Sequence, residues 1–229
     1  GLGIGEPDAA GDAVRHGAVD NATGVAAVIE LARVFAAGPR PQRTLLFMAL
    51  TAEEKGLQGA TFYAANPLVP LAKTAAVLNI EMLSPDGPTR DIASWGKGRV
   101  SLENDLKRVA EAHGRTYSPD PNLEAGFFYR ADHFAFARAG VPAITVGAGL
   151  DRIDGGVASG KALRDAYFAR CYHQPCDAWT ASWDARGQAQ DVALLYALGR
   201  EIADGDAWPH WLNGSEFKAV RERSETERK

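Results

Sequence analysis

The stretch TLLFMALTAEEKGLQGA, residues 44–60, joins a continuous apolar run to two adjacent glutamates. The run from 44 to 50 has the length and composition of a buried strand in a parallel sheet. Glu53 and Glu54 would then lie at the carboxyl end of a core strand, where ligands bind in open α/β sheets. Because side chains alternate along an extended segment, the two carboxylates are expected to face different ways and to hold different roles.

The ordinary alternative for this pair is the solvated first turn of a helix. Acidic residues are favoured there because the N-terminal end of the helix dipole is positive. Taken alone, Glu53 and Glu54 fit that interpretation better than they fit a binding site, so the rest of the chain has to decide between the two.

Length and composition predict one α/β domain over residues 1–229. With 46% hydrophobic content, a chain of 229 residues is able to bury a full core. The net charge of −4 argues against a nucleic-acid partner or an anionic membrane surface. No apolar stretch approaches the roughly 20 residues that span a bilayer. The sequence opens on Gly1 without an initiator Met or a signal peptide, which suggests a processed or truncated product.

Hydrophobic periodicity predicts the remaining elements. The predicted helices are 25–38, 56–64, 100–113, 126–140 and 188–203. The predicted strands, besides 44–50, are 73–80, 91–95 and 142–146. Segment 152–166 contains three glycines and is predicted to be an irregular loop that covers a site. Residues 206–229 are predicted to form a polar C-terminal tail that frays.

The two cysteines, Cys171 and Cys176, flank the segment 172–175. They could form a disulfide, remain two free thiols or bind a metal, although a zinc site would want two more soft ligands that the sequence does not offer. We favour the disulfide, on grounds of compartment rather than geometry. A disulfide implies a secreted or periplasmic protein.

Further candidate ligands follow other predicted elements. Glu81 comes directly after strand 73–80, and Asp20 lies in the loop that enters the first helix. Asp20 alone would be an unremarkable N-cap, but its position also suits a ligand that bridges two metal ions. His173 carries the commonest side-chain ligand for metals, and the hydroxyl of Tyr172 beside it is able to donate to a developing oxyanion.

Asp132 and His133 lie in segment 126–134, which opens the predicted helix 126–140. Asp132 suits the N-terminal turn of a helix. His133 is either a metal ligand or a hydrogen-bonded wall of a pocket, and the second interpretation is favoured.

The candidates lie on four separate loops that a parallel sheet would gather at one edge: Asp20, Glu53, Glu54, Glu81 and His173. Oxygen ligands together with histidine suit zinc or another divalent first-row metal. Several carboxylates suit two ions better than one, because two ions about 3.5–4 Å apart share a bridging carboxylate.

Four segments, in this order, resemble motifs of the di-zinc aminopeptidase family that includes bacterial leucyl aminopeptidases and is related to glutamate carboxypeptidase II. They are GAVDNATG (17–24), AEEKGLQG (52–59), FYRADH (128–133) and YH (172–173). The resemblance covers most of the chain. It implies a three-layer α/β/α sandwich with a mixed, mostly parallel central sheet, whose N-terminal strands are missing from residues 1–229.

The resemblance also implies a role for each candidate. Asp20 would bridge two zinc ions, Glu53 would be the general base and Glu54 a zinc ligand. His173 would bind the other zinc ion, and Tyr172 would help to hold the tetrahedral oxyanion.

The FYRADH motif implies substrate-binding roles for Tyr129, Asp132 and His133.

Two departures from the family pattern concern the metal ligands. Glu81, a further expected ligand, occupies a position where the family usually has Asp. Because Glu is longer by one methylene group, the backbone at Glu81 would have to lie further from the metal. The family's first zinc-binding His, in a His-x-Asp segment, would fall before Gly1. His16 is a less favoured substitute.

These roles predict hydrolysis of a peptide bond at a free N-terminus, with a peptide or an amino-acyl conjugate as substrate. One alternative is an inactive or metal-poor binding domain on the same scaffold, which the two departures favour for this piece of sequence. A second alternative is an aminoacyl cyclase with a single zinc ion, which needs fewer of these carboxylates.

Overall fold

A computed structural model describes residues 2–120 and 122–228 of the chain. The described residues form six strands: β1 (Gly3–Ile4), β2 (Val14–Arg15), β3 (Val77–Ile80), β4 (Asp91–Trp95), β5 (Thr116–Ser118) and β6 (Ala143–Ala148). β1 and β2 make a small antiparallel pair, and the other four strands form the central sheet in the order β3-β6-β4-β5. β3 runs parallel to β6 and β4 parallel to β5, while β6 and β4 are antiparallel. The sheet is therefore mixed and mostly parallel, as predicted.

The helices cover both faces of this sheet. They are α1 (Thr23–Ala37), α2 (Gln58–Ala65), α3 (Leu102–Ala112), α4 (His133–Arg138), α5 (Gly156–Arg170), α6 (Arg186–Asp204) and α7 (Lys218–Arg223). α1, α3 and α6 pack together against one face, and α2 packs on α4 against the other. The three-layer α/β/α arrangement is confirmed.

Burial follows the periodicity of the sequence. In α3 the buried side chains are Leu102, Leu106, Val109 and Ala110, which recur at helical spacing on one face. β6 is buried along almost its whole length, because helices cover it on both sides. The apolar strand at 142–146 and the amphipathic helix at 100–113 were predicted on these patterns.

The strand predicted at 44–50 is wrong for the described residues, where this segment joins no sheet. Leu46 and Phe47 are 49% and 38% exposed. A cavity of about 780 Å³ lies against both this segment and β3. A strand needs a neighbour for its N–H and C=O groups. The apolar composition of the segment is typical of a strand, but composition does not show whether a neighbouring strand is there to pair with it.

The irregular loop predicted at 152–166 is also wrong, because α5 occupies most of it. Gly155 adopts the left-handed conformation (φ 93°) just before the helix, so the glycines mark its start. The helix buries only Gly160 along its length. The helix consequently has no apolar stripe, so hydrophobic periodicity does not predict it.

Part of the segment that was predicted to fray, 206–228 of the described residues, packs into the fold. Trp211 and Phe217 are buried in the main core, and α7 follows them. The Trp211 indole N–H donates to the carbonyl of Gly140 at 2.9 Å. These two aromatic side chains anchor a segment whose average composition is polar.

A buried ion pair connects α6 to the sheet. Arg115, directly before β5, lies with its Nη1 2.7 Å from Oδ1 of Asp191 in α6, and both residues are almost fully buried. The Arg115 Nη2 also donates to the Thr89 hydroxyl at 2.9 Å. Burial raises the pKa of Asp191 to about 6, against the opposing effect of the Arg115 charge. Burying the charged Asp191 carboxylate therefore costs free energy, and the Arg115 charge offsets part of that cost.

We predict that Asp191→Asn lowers the free energy of unfolding by about 3–5 kcal/mol, because it leaves the Arg115 guanidinium buried without a counter-charge. Urea denaturation followed by circular dichroism measures this change. Asp165→Asn is the matched control, since Asp165 is exposed, pairs with Lys161 at the surface and should change the stability by less than about 1 kcal/mol. Equal stability of Asp191→Asn and wild type would contradict the prediction.

Candidate metal centre

Three of the predicted ligands meet at one point beside the sheet. One ligand atom from each of Asp20, Glu54 and His173 lies within 4.8 Å of the other two. The His173 Nε2 is 3.0 Å from Asp20 Oδ2 and 3.1 Å from Glu54 Oε2. Residues far apart in sequence thus present two carboxylates and an imidazole to a common point.

The chemistry of this group fits a zinc ion. Two ligands of one zinc ion, each about 2.0–2.2 Å from it, lie roughly 3–3.5 Å apart. The His173 Nε2 lies at about this distance from both carboxylate oxygens. Asp20 Oδ2 and His173 Nε2 are buried, and neither makes a hydrogen bond within the residues that the structure describes. Buried polar atoms rarely lack a partner. Because these two atoms face each other, they indicate a position where a cation would bind both.

A second carboxylate, Asp177, holds Asp20 in place. Its Oδ1 accepts the Val19 N–H at 2.8 Å, and its Oδ2 accepts the Asp20 N–H at 3.1 Å. The Tyr167 hydroxyl also donates to Asp177 Oδ2 at 3.1 Å. Asp20 is therefore not an N-cap: it lies in a non-helical turn before α1, with no cap hydrogen bond from its side chain.

Asn21 and Gly24 join this turn to the end of β3. The Asn21 side chain donates to the Ile80 carbonyl at 2.9 Å and accepts the Met82 N–H at 3.2 Å. A Cβ at Gly24 would stand 2.6 Å from the Ile80 oxygen, so only glycine allows α1 to start this close to the strand. This close approach places Asp20 and Glu81 beside the same rim.

Glu53 and Glu54 begin a short 3₁₀ turn, so the strand geometry expected for them does not persist. They nevertheless point to different partners. Glu54 joins His173, and its side chain is only 13% exposed. Glu53 is partly buried and lies in the electric field of Glu54 and Asp132. The interpretation as a solvated helix turn therefore does not describe this pair.

Burial and mutual repulsion raise the pKa values of the clustered acids. Burial, then the Glu54 charge, raises the pKa of Glu53 from 4.5 to about 7. Burial, then the Glu53 charge, raises the pKa of Glu81 to about 8. Burial also raises the pKa of Asp20, where the Glu54 charge adds to the effect. A group with a pKa near neutrality is suited to accept and return a proton.

Glu81 lies directly after β3, as predicted, and lines the same cleft as Glu53 and Glu54. Its Oε2 accepts the Asn79 amide N–H at 2.9 Å. Glu81 is not one of the three residues whose ligand atoms converge within the described structure. Its pKa responds to the charges of Glu53 and Asp20, so it is an electrostatic neighbour of the group.

The three residues predicted to bind substrate occupy different environments. Tyr129 lines the cleft and donates its hydroxyl to Glu216 at 2.8 Å. Asp132 is largely buried, and burial raises its pKa to about 6. His133 is fully buried, with its Nδ1 2.7 Å from the Thr145 hydroxyl, and burial lowers its pKa to about 3. A neutral His133 therefore forms a wall behind the site.

Tyr172 and His173 stack on each other with ring centroids 3.8 Å apart. Burial raises the pKa of the Tyr172 phenol above its ordinary value. The hydroxyl therefore keeps its proton over the working range of pH, which a hydrogen-bond donor requires. The predicted disulfide between Cys171 and Cys176 encloses this pair.

The loops around the centre contain four non-glycine residues in the left-handed conformation: Ala52, Leu57, Met82 and His173. Ala52 directly precedes Glu53, and Met82 directly follows Glu81. Such residues cost free energy and persist only where their surroundings hold them. Their concentration here shows that the loops are held in the shape that directs these side chains inward.

The sequence interpretation missed the residues that position the ligands, namely Asn21, Tyr167 and Asp177. Asp177 follows His173 by four positions, and a carboxylate so close to a candidate ligand was the available signal. No comparable signal distinguishes Asn21, which acts through a hydrogen bond to Ile80, 59 positions away. Tyr167 lies ten positions from Asp177, and nothing in the sequence indicates that the two side chains meet.

A cleft of about 530 Å³ opens onto the clustered acids. We call this cleft the site cleft. Its lining includes the candidate site residues Asp20, Glu53, Glu54, Glu81, Tyr172 and His173. It also includes Trp95, Phe127, Tyr129, Arg130 and Phe134. Trp95 and Phe127 pack against each other at 5.2 Å. The cleft therefore presents a charged end and an aromatic wall, which suits an apolar ligand with a polar group to be acted upon.

The sequence profile of peptidase family M28 matches residues 4–197. The chain belongs to peptidase family M28. Solved structures agree with this M28 fold. The M28 chain superposes on the LapA aminopeptidase of Legionella pneumophila with a TM-score of 0.60 and 18% identity, over 83% of this chain and 48% of that one. A peptidase M28 precursor from Shewanella amazonensis gives 0.58 and 23%, over 84% and 39%.

Curated relatives of the M28 chain are named as zinc-dependent or exopeptidase-type enzymes. A probable zinc metalloprotease of Pyrenophora tritici-repentis is 36% identical over 51% of this chain and 28% of its own length. A probable glutamate carboxypeptidase of Arthroderma benhamiae is 28% identical, over 84% and 27%. Aminopeptidase Y of Saccharomyces cerevisiae is 31% identical, over 58% and 24%. The M28 chain thus spans about a quarter of the length of each of these relatives.

No helix in the described part of the chain is long and apolar enough to cross a membrane.

We predict that zinc stabilises the M28 chain more at pH 8 than at pH 5.5. The raised pKa values of Glu53 and Glu81 mean that the metal-free folded state holds more protons than the unfolded state between about pH 4.5 and 8. Stability of the metal-free form therefore falls as pH rises through this window, while zinc competes with fewer protons. At 100 times Kd, zinc should raise Tm by about 5–10 °C at pH 8.

Thermal unfolding with zinc and with EDTA, at pH 5.5, 7 and 8, measures this difference. Glu54→Gln is the control, since loss of a ligand should remove most of the zinc effect at every pH. A zinc effect that is constant with pH, or larger at pH 5.5, would show that the acids do not bind the metal.

Proposed function

We propose that this M28 domain hydrolyses peptide bonds at a free N-terminus, as an aminopeptidase with two zinc ions. The observation that carries the proposal is the convergence of Asp20, Glu54 and His173, with Glu53 beside them at the same rim of the sheet. The relatives named zinc metalloprotease and aminopeptidase support the metal and the reaction class.

The residues present divide between two metal positions. Asp20, Glu54 and His173 converge and would hold one ion, so we place Glu54 and His173 on the same ion rather than on two different ions, as the family resemblance implied. Glu81 lines the same cleft and would hold a second ion together with Asp20. A second ion is favoured because four carboxylates share one cleft. When bound, zinc supplies polarisation of the scissile carbonyl and a lowered pKa of water.

Glu53 is the proposed general base. Its raised pKa of about 7 lets it take a proton from the attacking water and return it to the leaving amine at neutral pH. Tyr172, which keeps its proton, donates a hydrogen bond to the oxyanion that forms on the carbonyl. The two groups line the same cleft, so both are able to reach one bound substrate.

The site cleft also offers a place for the first residue of the substrate. The aromatic wall formed by Trp95 and Phe127 would bind the apolar side chain of the first residue.

A secreted or periplasmic location is proposed on the disulfide between Cys171 and Cys176. Such bonds persist in oxidising compartments and are rare in the cytosol of mesophiles.

We predict that Glu53→Gln, in the full-length protein, lowers kcat by about 10²–10⁴ while leaving the zinc content unchanged, because glutamine is unable to accept the proton. Glu54→Gln should instead lower the zinc content. Release of the amino acid from leucine p-nitroanilide measures activity, and plasma mass spectrometry measures zinc. Loss of zinc in Glu53→Gln with full zinc in Glu54→Gln would mean that the two roles are exchanged.

A further inference from the structure

The disulfide between Cys171 and Cys176 closes a loop that contains two residues of the metal centre. The bridge joins positions five apart, with Cα atoms at 5.1 Å, and encloses Tyr172 and His173. His173 places its Nε2 3.0 Å from Asp20 and 3.1 Å from Glu54. Any movement of this loop would therefore move a ligand.

The backbone of this loop is not one that the chain adopts readily. His173 has a φ of 61°, in the left-handed region that residues other than glycine rarely occupy. Short-range hydrogen bonds support the turn: the Gln174 N–H donates to the Cys171 carbonyl at 2.9 Å, and the Tyr172 N–H to the Tyr167 carbonyl at 3.0 Å. A conformation of this kind persists only when its surroundings hold it.

The far end of the bridge touches a second part of the centre. Cys176 is followed directly by Asp177, whose carboxylate accepts the backbone N–H groups of Val19 and Asp20. The Asp177 carbonyl also accepts the Ala18 N–H at 2.9 Å. One covalent link therefore constrains both the ligand His173 and the carboxylate that orients the ligand Asp20.

We propose that the Cys171–Cys176 disulfide is a positioning element of the metal centre, and that breaking it weakens zinc binding. The inference rests on the proposed function in that it takes the Asp20, Glu54 and His173 group as a zinc site. The loop then relaxes from the left-handed turn at His173, and the imidazole no longer meets the two carboxylates. Cys176 is exposed and Cys171 is partly buried, so a reductant in solution reaches the bond.

The test compares wild type with the double variant Cys171→Ser, Cys176→Ser. Competition with a chromophoric chelator measures the dissociation constant for zinc at pH 7.5. We expect zinc to bind the variant about 10–100-fold more weakly, the usual effect of losing a group that orients metal ligands. Serine is used because two freed thiols would themselves bind zinc and hide the loss.

Leu106→Ala provides the matched control for general destabilisation, because Leu106 is fully buried in α3 and belongs to the main core. It should lower Tm while leaving the zinc dissociation constant within about twofold of wild type. A role that is merely structural would lower Tm in both variants without changing zinc affinity in either.

Reduction provides a second route that needs no mutation. Tris(2-carboxyethyl)phosphine with one water molecule converts the disulfide to two thiols and becomes the phosphine oxide. Iodoacetamide then caps both thiols so that they cannot bind zinc. The capped protein should show the same loss of affinity, and the double serine variant should not respond to the phosphine. If the serine variant fails to fold, the capped wild type decides the question.

Equal zinc affinity in wild type and in the serine variant, or in capped wild type, would overturn this inference while leaving the proposed function intact. Failure of wild-type protein itself to bind zinc would overturn both.

Discussion

Buried carboxylates repel one another, and this domain gathers four of them at one rim of its sheet. Burial and repulsion together raise the pKa values of Glu53 and Glu81 to about 7 and about 8. Without a counter-charge, such a cluster either takes up protons or destabilises the fold. A divalent cation relieves the repulsion, and the rest of the structure can be understood as the framework that keeps these acids together for one.

That framework includes hydrogen bonds between side chains of neighbouring residues and the backbone of the turns that carry the acids. Asp177 holds the turn that carries Asp20, and Asn21 ties the same turn to the end of β3. Gly24 lets α1 approach the strand closely enough for these bonds to form. The candidate ligand Asp20 is therefore positioned by residues outside the candidate ligand set, which is the usual arrangement around metal sites.

The core and the site depend on opposite physical effects. α1, α3 and α6 bury apolar side chains against the sheet, and this hydrophobic burial stabilises the domain. At the rim, polar atoms such as Asp20 Oδ2 and His173 Nε2 are buried without a hydrogen bond in the described structure. Stability from the first region compensates for the unfavourable arrangement in the second, as is common for functional sites.

The amino-acid sequence was enough to predict the α/β class and the candidate ligands, because hydrophobic periodicity and motif spacing are local properties. It correctly predicted strand β4, and it correctly placed Glu81 directly after β3. It also singled out Asp20, Glu54 and His173, whose side chains the structure brings together. Which strands pair depends on the tertiary structure, so segment 44–50 was wrongly predicted as a strand although it has no neighbour in the sheet.

How the candidate ligands are held also depends on the tertiary structure. The hydrogen bond from the Asp20 N–H to Asp177 spans 157 positions. Helix α5 has no apolar stripe, so the sequence pattern does not reveal that helix. Contacts of this kind depend on which distant segments meet, and that depends on the packing of the whole chain rather than on any local pattern of residues.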